Sequence, residues 1–504
     1  MANILYDALF APLIGRQSRL IILPDGREMS GDAFGTLVQR LAAVLVREGL
    51  QPGDRLAVQV AKSPEALALY GAALATGAVF LPLNTAYTAA ELRYFVENAG
   101  ARLLVGDPGK SEALAVVAEA AGAKLLSLGS HGEGSLADLA EAEAPGFQPQ
   151  DRGPDDLAAL LYTSGTTGRA KGAMLTHRNL LSNAEVLAEA WRFTAKDVLL
   201  HALPIFHTHG LFVACNISLL TGGAMIFLPG FSPEEVFRHL PAATSMMGVP
   251  TFYSRLLGDA RLTRAAVAHI RLFVSGSAPL LEATHIQFAE RTGQAILERY
   301  GMTETNMNSS NPYDGVRRAG TVGMALPGVE VRIADAAGLP LPAGETGMIE
   351  VRGPNVFAGY WQLPDKTAEE LRANGFFITG DLGRFDDQGY LQIVGRQKDL
   401  IISGGYNIYP KEIELLLDAA PSVLESAVIG LPHPDLGEAV VAVLVAEPGG
   451  SIDQADLMAG LAVELARFKL PKALIVLPEL PRNAMGKVQK AALRRDYAGW
   501  FLAP

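Results

Sequence analysis

Short apolar runs alternate with helical stretches through the first third of the chain, and no other feature narrows the choice of fold as much. "RLAVQV" (55–60) is followed by a helical run through "SPEALALYGAALATG", then "AVFLPL" (78–83), a second helical run through "AAELRYFVENAG", and "ARLLVGD" (101–107). Strands that alternate with helices build βαβ units and a mainly parallel sheet. The Pro-, Gly- and acid-rich "EAEAPGFQPQDRGPDD" (141–156) reads as a connecting loop, and the alternation resumes from 157 to about 300. Between 320 and 395 the runs "VEVRIAD", "GMIEVRG" and "GYLQIVG" are closely punctuated by Gly and Pro, which predicts a small antiparallel β unit. Beyond "GRQKD", a helix ("YPKEIELLLDAA"), two strands around "LPHPDLGE", a helix ("DLMAGLAVELARF") and a strand ("ALIVLPEL") predict a compact α+β unit, with a boundary near 396–398. A chain of 504 residues is too long for one ordinary core, so more than one domain is expected.

The charge balance excludes some partners. With 42 Lys+Arg against 53 Asp+Glu, the net charge of −11 argues against general nucleic-acid or anionic-membrane binding. "MANILYDALFAP" lacks a basic leader and carries Asp7, so it reads as a surface helix and not as a signal peptide. Val198–Pro233 contains no Asp, Glu, Lys or Arg and is long enough to cross a bilayer. His201, Pro204, His207, His209, Asn216, Thr221-Gly222-Gly223 and Pro229 interrupt it, which favours strand–loop–helix–strand in a buried core. The lone Cys215 has no intrachain disulfide partner, in keeping with a reducing, cytoplasmic setting.

"YTSGTTGRAKG" (162–172) has the composition of a phosphate-gripping loop without the spacing G-x-x-x-x-G-K-[ST]. It follows the buried strand "LAALLY" (157–162) and leads towards a helix, "THRNLLSNAEVLAEAW", with Thr176 as N-cap and Leu180, Ala184, Leu187 and Trp191 at helical spacing. The carboxyl end of such a strand is where α/β proteins bind ligands. Gly165 and Gly168 permit close approach of the backbone, Thr163, Ser164, Thr166 and Thr167 supply hydroxyls, and Arg169 and Lys171 supply charge. No Cys or third ligand stands near His207 and His209 at the spacing a zinc site needs.

"YTSGTTGRAKG", "RYGMTE" (299–304), "TGD" (379–381), "GRQKDLIISGGYNIYPKEIE" (395–414) and "PRNAMGK" (481–487) occur in the order of the adenylate-forming family, which the whole chain resembles. That family includes acyl-CoA synthetases, peptide-synthetase adenylation domains and luciferases. The resemblance implies an α/β fold with a large N-terminal domain, residues 1–396, made of two α/β subdomains (1–319) and a small β-barrel-like subdomain (320–396). A small mobile α+β lid, residues 397–504, would follow. It also implies attack of a carboxylate on the α-phosphate of ATP, then thiolysis of the acyl-adenylate by coenzyme A.

Site residues follow from the same resemblance. Thr163, Ser164, Gly165, Thr166, Thr167, Gly168 and Lys171 would grip the β,γ-phosphates. Gly276, Ser277, Ala278, Glu298, Arg299, Tyr300, Gly301, Met302 and Thr303 would border the adenine and α-phosphate. Asp381 and Arg396 would take the ribose, and Thr163 and Glu304 would serve Mg²⁺. Lys487 matches the adenylation lysine and is a candidate for regulatory acylation. Lys398 occupies the hinge, Ser403, Gly404 and Gly405 the face that admits coenzyme A, and His207 the acyl carbonyl.

The acid itself is less constrained. A dicarboxylate enzyme must hold a second, unreactive carboxylate with a buried cation or hydroxyl donors. On residue types alone Arg255, Arg238, Arg261 and Arg271 are all candidates. The runs "IFHTHGL", "GVPTFYSRLL", "VSGSAPL", "ERYGMTETNMNSS" and "RAGTVGMALPGVEV" look like the malonyl-CoA synthetases of the family. That likeness implies Arg255 and Ser277 on the distal carboxylate, with Thr208 and Met302 beside the α-carbon, and malonate, with methylmalonate, as substrate. The alternative is a short-chain or aromatic acyl-CoA ligase of the same family.

Overall fold

The computed structural model describes residues 3–163, 170–403, 406–483 and 486–501. Two large sheets carry the α/β portion. The first is six-stranded, in the order Lys124–Ser127, Ala101–Gly106, Arg55–Gln59, Val79–Pro82, Leu157–Thr163, Lys171–Thr176, and only its last pair is antiparallel. The second is nine-stranded, and its centre runs parallel through Leu297–Met302, Leu272–Ser275, Ser245–Gly248, Val198–His201, Ala224–Phe227 and Arg19–Ile22. The amino-terminal hairpin of Arg19–Ile22 and Glu28–Ser30 therefore completes the second sheet, although the strands that follow it build the first.

The helix Pro64–Thr76 shows why the local sequence folds as it does. The Ser63 hydroxyl accepts from the Ala66 N–H, Pro64 opens the first turn, and Gly77 ends the helix at φ 72°. Its residues from Ala66 to Thr76 are all buried, as expected for a helix apolar on every side. The amino-terminal helix Ile4–Leu9 departs from the expected surface helix. Leu5, Tyr6 and Leu9 are buried, and the Phe10 ring packs edge-on against Tyr70 at 5.6 Å. Asp7 alone faces outward, its carboxylate accepting from the Asn3 N–H, so one acidic residue does not make the helix a surface one.

A second difference lies after the phosphate-loop motif. The chain does not pass directly into the helix His177–Ala190; the strand Lys171–Thr176 intervenes and pairs antiparallel with Leu157–Thr163. Thr176 does cap that helix, in a reciprocal pair with Asn179. Residues Val198–Phe227 form strand, π-helical turn, helix and strand, and no helix among the described residues is long and apolar enough to cross a membrane.

Residues Glu330–Arg396 form a four-stranded antiparallel sheet, and Ile401–Leu477 hold a five-stranded one that includes the short strands Ile401–Ser403 and Tyr406–Ile408. These two are too brief to stand out by periodicity. In the four-stranded sheet Glu350 is fully buried, with its carboxylate 2.7 Å from both the Arg332 and the Arg372 guanidinium. Replacing Glu350 by Ala leaves two cations facing each other, and a stability loss of about 3 kcal/mol is expected. Denaturant titration measures it, and a change below about 1 kcal/mol contradicts this role for the carboxylate.

Candidate active site

The site forms where the carboxyl ends of parallel strands from both sheets meet the antiparallel sheet. Leu157–Thr163 delivers Thr163, Val198–His201 leads to His207, Leu272–Ser275 leads to Gly276, Ser277 and Ala278, and Leu297–Met302 ends just before Thr303 and Glu304. Ligands of open α/β sheets lie in such a crevice.

Asp381 and Arg396 face each other across neighbouring antiparallel strands, and the Arg396 Nε lies 2.8 Å from the Asp381 carboxylate. The Tyr300 hydroxyl donates to the other Asp381 oxygen at 2.7 Å. Tyr300 is buried, and burial together with the Asp381 charge holds its phenol well above the ordinary range. This fixes one aromatic face and one carboxylate in a single unit.

Lys487 reaches the same unit from the C-terminal portion. Its backbone N–H donates to the Asn483 side chain at 3.0 Å, and a Cβ on its neighbour Gly486 would fall 3.2 Å from the Thr251 hydroxyl. Burial, followed by the Arg396 charge, lowers the Lys487 amine to about 8. Burial likewise lowers His207 to about 4, with Arg299 and Lys487 adding to the effect, so this imidazole is neutral at physiological pH.

Glu304 is buried, and burial raises its carboxyl above the usual range. The Thr163 hydroxyl lies 3.4 Å from one Glu304 oxygen, and the Tyr360 hydroxyl is 3.1 Å from that oxygen and 2.6 Å from Glu370. Lys171 is engaged by Glu370 at 3.1 Å and lies 4.1 Å from the Tyr360 ring centre. Tyr360 and Glu370 belong to no motif in the sequence, and nothing in "GYW" or "KTAEEL" announced them.

On the acyl side, Ser277 adopts φ 74°, a strained conformation for a residue with a side chain. Its hydroxyl lies 3.2 Å from His209 Nδ1. Thr208 is buried, and Met302 is half-buried at the end of its strand. Gly301 must be a glycine, since a Cβ there would fall 1.9 Å from the Asn306 carbonyl oxygen. Glu298 is buried and pushed up to about 8 by burial, with one oxygen accepting from the Leu280 N–H.

Three of the four candidate arginines are spoken for. Arg238 pairs with Glu235, Arg261 with Glu234 and Asp259, and Arg271 with Asp197. Arg255 is exposed, one helical turn beyond Thr251. Ser403 is buried opposite Gly437 in the C-terminal sheet, and Lys398 is exposed in the turn Gln397–Asp399. Ser164, Gly165, Thr166, Thr167, Gly168 and Arg169, with Gly404 and Gly405, lie outside the described residues.

A separate cavity of about 720 Å³ is lined by Val60, Lys62, Phe80, Pro204, Phe206 and Phe227, among others. Lys62 Nζ donates to the His201 carbonyl at 2.7 Å and lies 4.3 Å from the Phe227 ring centre, and burial lowers it to about 7.

The model of the AMP-binding enzyme family matches residues 15–361, and that of its C-terminal domain matches 412–487. This chain belongs to the AMP-binding enzyme family. It is 33% identical to a malonate–CoA ligase of Arabidopsis thaliana, over 97% of this chain and 88% of that one. It is 38% identical to a feruloyl-CoA synthase of an Amycolatopsis species, over 91% of this chain and 92% of that one. Among solved structures, ATP-bound MatB from Rhodopseudomonas palustris is 54% identical, with a TM-score of 0.97 over 99% of this chain and 100% of that one. The apo form of MatB superposes less well, with a TM-score of 0.86. The placement of Lys487 beside Asp381 and Arg396 thus belongs to an overall shape like that of the ATP-bound crystal structure.

The Lys487 value has a kinetic consequence for this AMP-binding enzyme. Below about pH 8 the free enzyme carries the ammonium form, so kcat/KM for acid-dependent pyrophosphate release should hold level near neutrality and fall as pH rises through about 8. A rate that climbs through that range contradicts a role for the charged lysine.

Proposed function

We propose that this chain joins malonate, and methylmalonate, to coenzyme A through an acyl-adenylate, consuming ATP and releasing AMP and pyrophosphate. Support for the reaction type comes from the family and from the convergence of Lys487, Asp381, Arg396 and Tyr300 on one crevice. Support for the acid comes from malonate–CoA ligases of Arabidopsis thaliana and Mus musculus as relatives, with a buried acyl-side arginine, Arg299, whose Nε and Nη2 have no hydrogen-bond partner among the described residues.

The first step brings a carboxylate against a polyphosphate, so charge neutralisation is its main requirement. Lys487 is proposed to bridge the acyl carboxylate and the α-phosphate, while Asp381 accepts from the ribose hydroxyls and Arg396 holds Asp381 in place. Tyr300 would pack on the adenine, Thr303 would donate to the α-phosphate, and the loop from Ser164 to Gly168 with Lys171 would hold the departing pyrophosphate. The oxygen-only donor set of Thr163 and Glu304 suits Mg²⁺, which takes a few protein oxygens and fills its remaining positions with phosphate and water. When bound, the ion would neutralise phosphate charge and favour ionised Glu304.

For the second step, neutral His207 is proposed to border the acyl carbonyl, and the cavity beside Phe206 to admit the pantetheine thiol. Its lining includes Phe206, the neighbour of His207 in the chain, and none of the nucleotide residues named above. A change of lid orientation about Lys398, at the boundary between 396 and 397, would exchange Lys487 for the Ser403–Gly405 face.

The decisive experiment is AMP formation with ATP and coenzyme A across malonate, methylmalonate, succinate, acetate and butyrate. Malonate should give the highest kcat/KM, and a preference for acetate or butyrate, or for benzoate added to the panel, supports the short-chain or aromatic acyl-CoA ligase alternative instead. Lys487→Ala should cut adenylate formation at least about a hundredfold yet spare thiolysis of supplied malonyl-adenylate, and equal loss of both half-reactions rejects that assignment. Lys398→Pro locks a backbone torsion, so one half-reaction should slow, and unchanged rates for both speak against a pivot there.

A further inference from the structure

Lys62 follows the strand Arg55–Gln59 of the six-stranded sheet, and His201 ends the strand Val198–His201 of the nine-stranded one. The two residues meet where the sheets adjoin. The Lys62 Nζ lies 2.7 Å from the His201 carbonyl and 2.8 Å from the ring Nδ1. The other ring nitrogen, Nε2, lies 2.8 Å from the Gly210 carbonyl, which only accepts. Nε2 therefore carries the ring proton, and Nδ1 accepts from Lys62. Gly210 follows His209, whose own ring reaches the Ser277 hydroxyl, so Lys62 is tied through His201 to the turn that borders the acyl side.

The same lysine lines the cavity of about 720 Å³ that also holds Phe206, and it keeps part of its surface open. Of the other ionisable groups around that cavity, Asp25, Arg27, Glu28, Lys110 and His131 are exposed, and Glu65 and Asp107 are half-buried. No carboxylate among the described residues pairs with Lys62; Asp25 is engaged by Arg27 and Glu28 by Arg19. On the inner side, Cys215 lies 3.3 Å from His201 Nε2, and burial pushes its thiol up to about 12. Burial also holds His201 well below its ordinary value, so both inner neighbours are uncharged at physiological pH. With no acid to offset its loss of water, the Lys62 amine falls to about 7. A large part of it is then neutral near pH 7, where an ordinary lysine is a full cation.

We propose that the Lys62 amine, held by His201, takes the proton of the coenzyme A thiol in the second step, which makes Lys62 the base of thiolysis. The inference rests on reading this cavity as the entrance for the thiol, and it names the residue that acts there. The thiolate is the nucleophile, and a thiol of ordinary value, about 8.5, is ionised to only a few per cent at pH 7. A base is most effective when its own value lies near the working pH. As the sulfur–hydrogen bond breaks, the proton passes to Lys62 Nζ and the sulfur bonds to the acyl carbon. The bond from that carbon to the AMP phosphate oxygen breaks, and AMP leaves with the electron pair. Two acceptors on His201 and the Phe227 ring, 4.3 Å away, hold the ammonium until it returns its proton to solvent.

The test follows thiolysis of supplied malonyl-adenylate from about pH 6 to about pH 9, which spans both titrations. In the wild type, kcat/KM for coenzyme A should rise through about pH 7 and then level. Lys62→Met should lower it about a hundredfold near pH 7, relative to adenylate formation by the same variant. That deficit should shrink towards about pH 8.5, where the thiol ionises unaided. Lys62→Arg keeps the positive charge and the donors to His201 but gives up no proton, so it should be as slow as Lys62→Met. Thermal unfolding checks that each variant is folded; the arginine variant carries the test if the methionine variant is not, and the wild-type profile carries it if neither is. A folded Lys62→Met with wild-type thiolysis overturns the inference, as does rescue by Lys62→Arg or a wild-type rate that climbs to about pH 8.5 without levelling. Thr85→Trp, elsewhere on the cavity wall, separates the two readings. A raised KM for coenzyme A there, with a fast Lys62→Met, overturns the base alone, whereas an unchanged KM with a fast Lys62→Met overturns the entrance as well.

Discussion

Charge that the protein does not neutralise by itself organises this crevice. Lys487, Arg299 and Glu304 are all largely removed from water, and each has its ionisation shifted towards the neutral form, with burial the largest cause. Removing an ion from water is costly, and pairing within the protein is the usual remedy. Here the remedy is partial, since Arg299 Nε and Nη2 have no hydrogen-bond partner among the described residues, so part of the free energy of completing these interactions remains to be gained from anionic ligands and their counter-ion. An enzyme that must bring a carboxylate against a polyphosphate gains from such an arrangement, since positive charge already oriented needs no reorganisation during reaction.

The remaining architecture holds those charges where they are. The two large sheets supply strand ends at fixed heights, and the four-stranded sheet supplies Asp381 and Arg396 in cross-strand register. Glu350, bridging Arg332 and Arg372 within that sheet, shows the contrasting case of a buried ion fully paired and therefore structural. Lys487 is contributed by the portion beyond the four-stranded sheet, so its place near Asp381 and Arg396 depends on how that portion sits. The better superposition on ATP-bound than on apo MatB is in keeping with this.

Much of the local structure was legible in the sequence because it rests on short-range physics. The helix Pro64–Thr76 announces itself through Ser63, Pro64 and Gly77, and Thr176 through its capping partner Asn179. The burial of Ile4–Leu9 was not legible, since one outward Asp7 does not reveal what covers the other faces. Neither was the strand Lys171–Thr176, whose pairing with Leu157–Thr163 crosses the glycine-rich motif. Tyr360 and Glu370 joined the site without any motif, through contacts made only when the chain closes on Lys171 and Glu304.

The sequence by itself determined the parallel α/β class, the order of the motifs and the residue types available for a polyanion, because periodicity, glycines and hydroxyl-rich loops act locally. Only the tertiary structure showed Arg299 buried with two nitrogens unpartnered among the described residues, and set Arg255 apart from three arginines that carboxylates already occupy. Both distinctions turn on which charges lose water and which find partners. Those are properties of neighbours brought together from distant segments, and no single stretch of chain contains them.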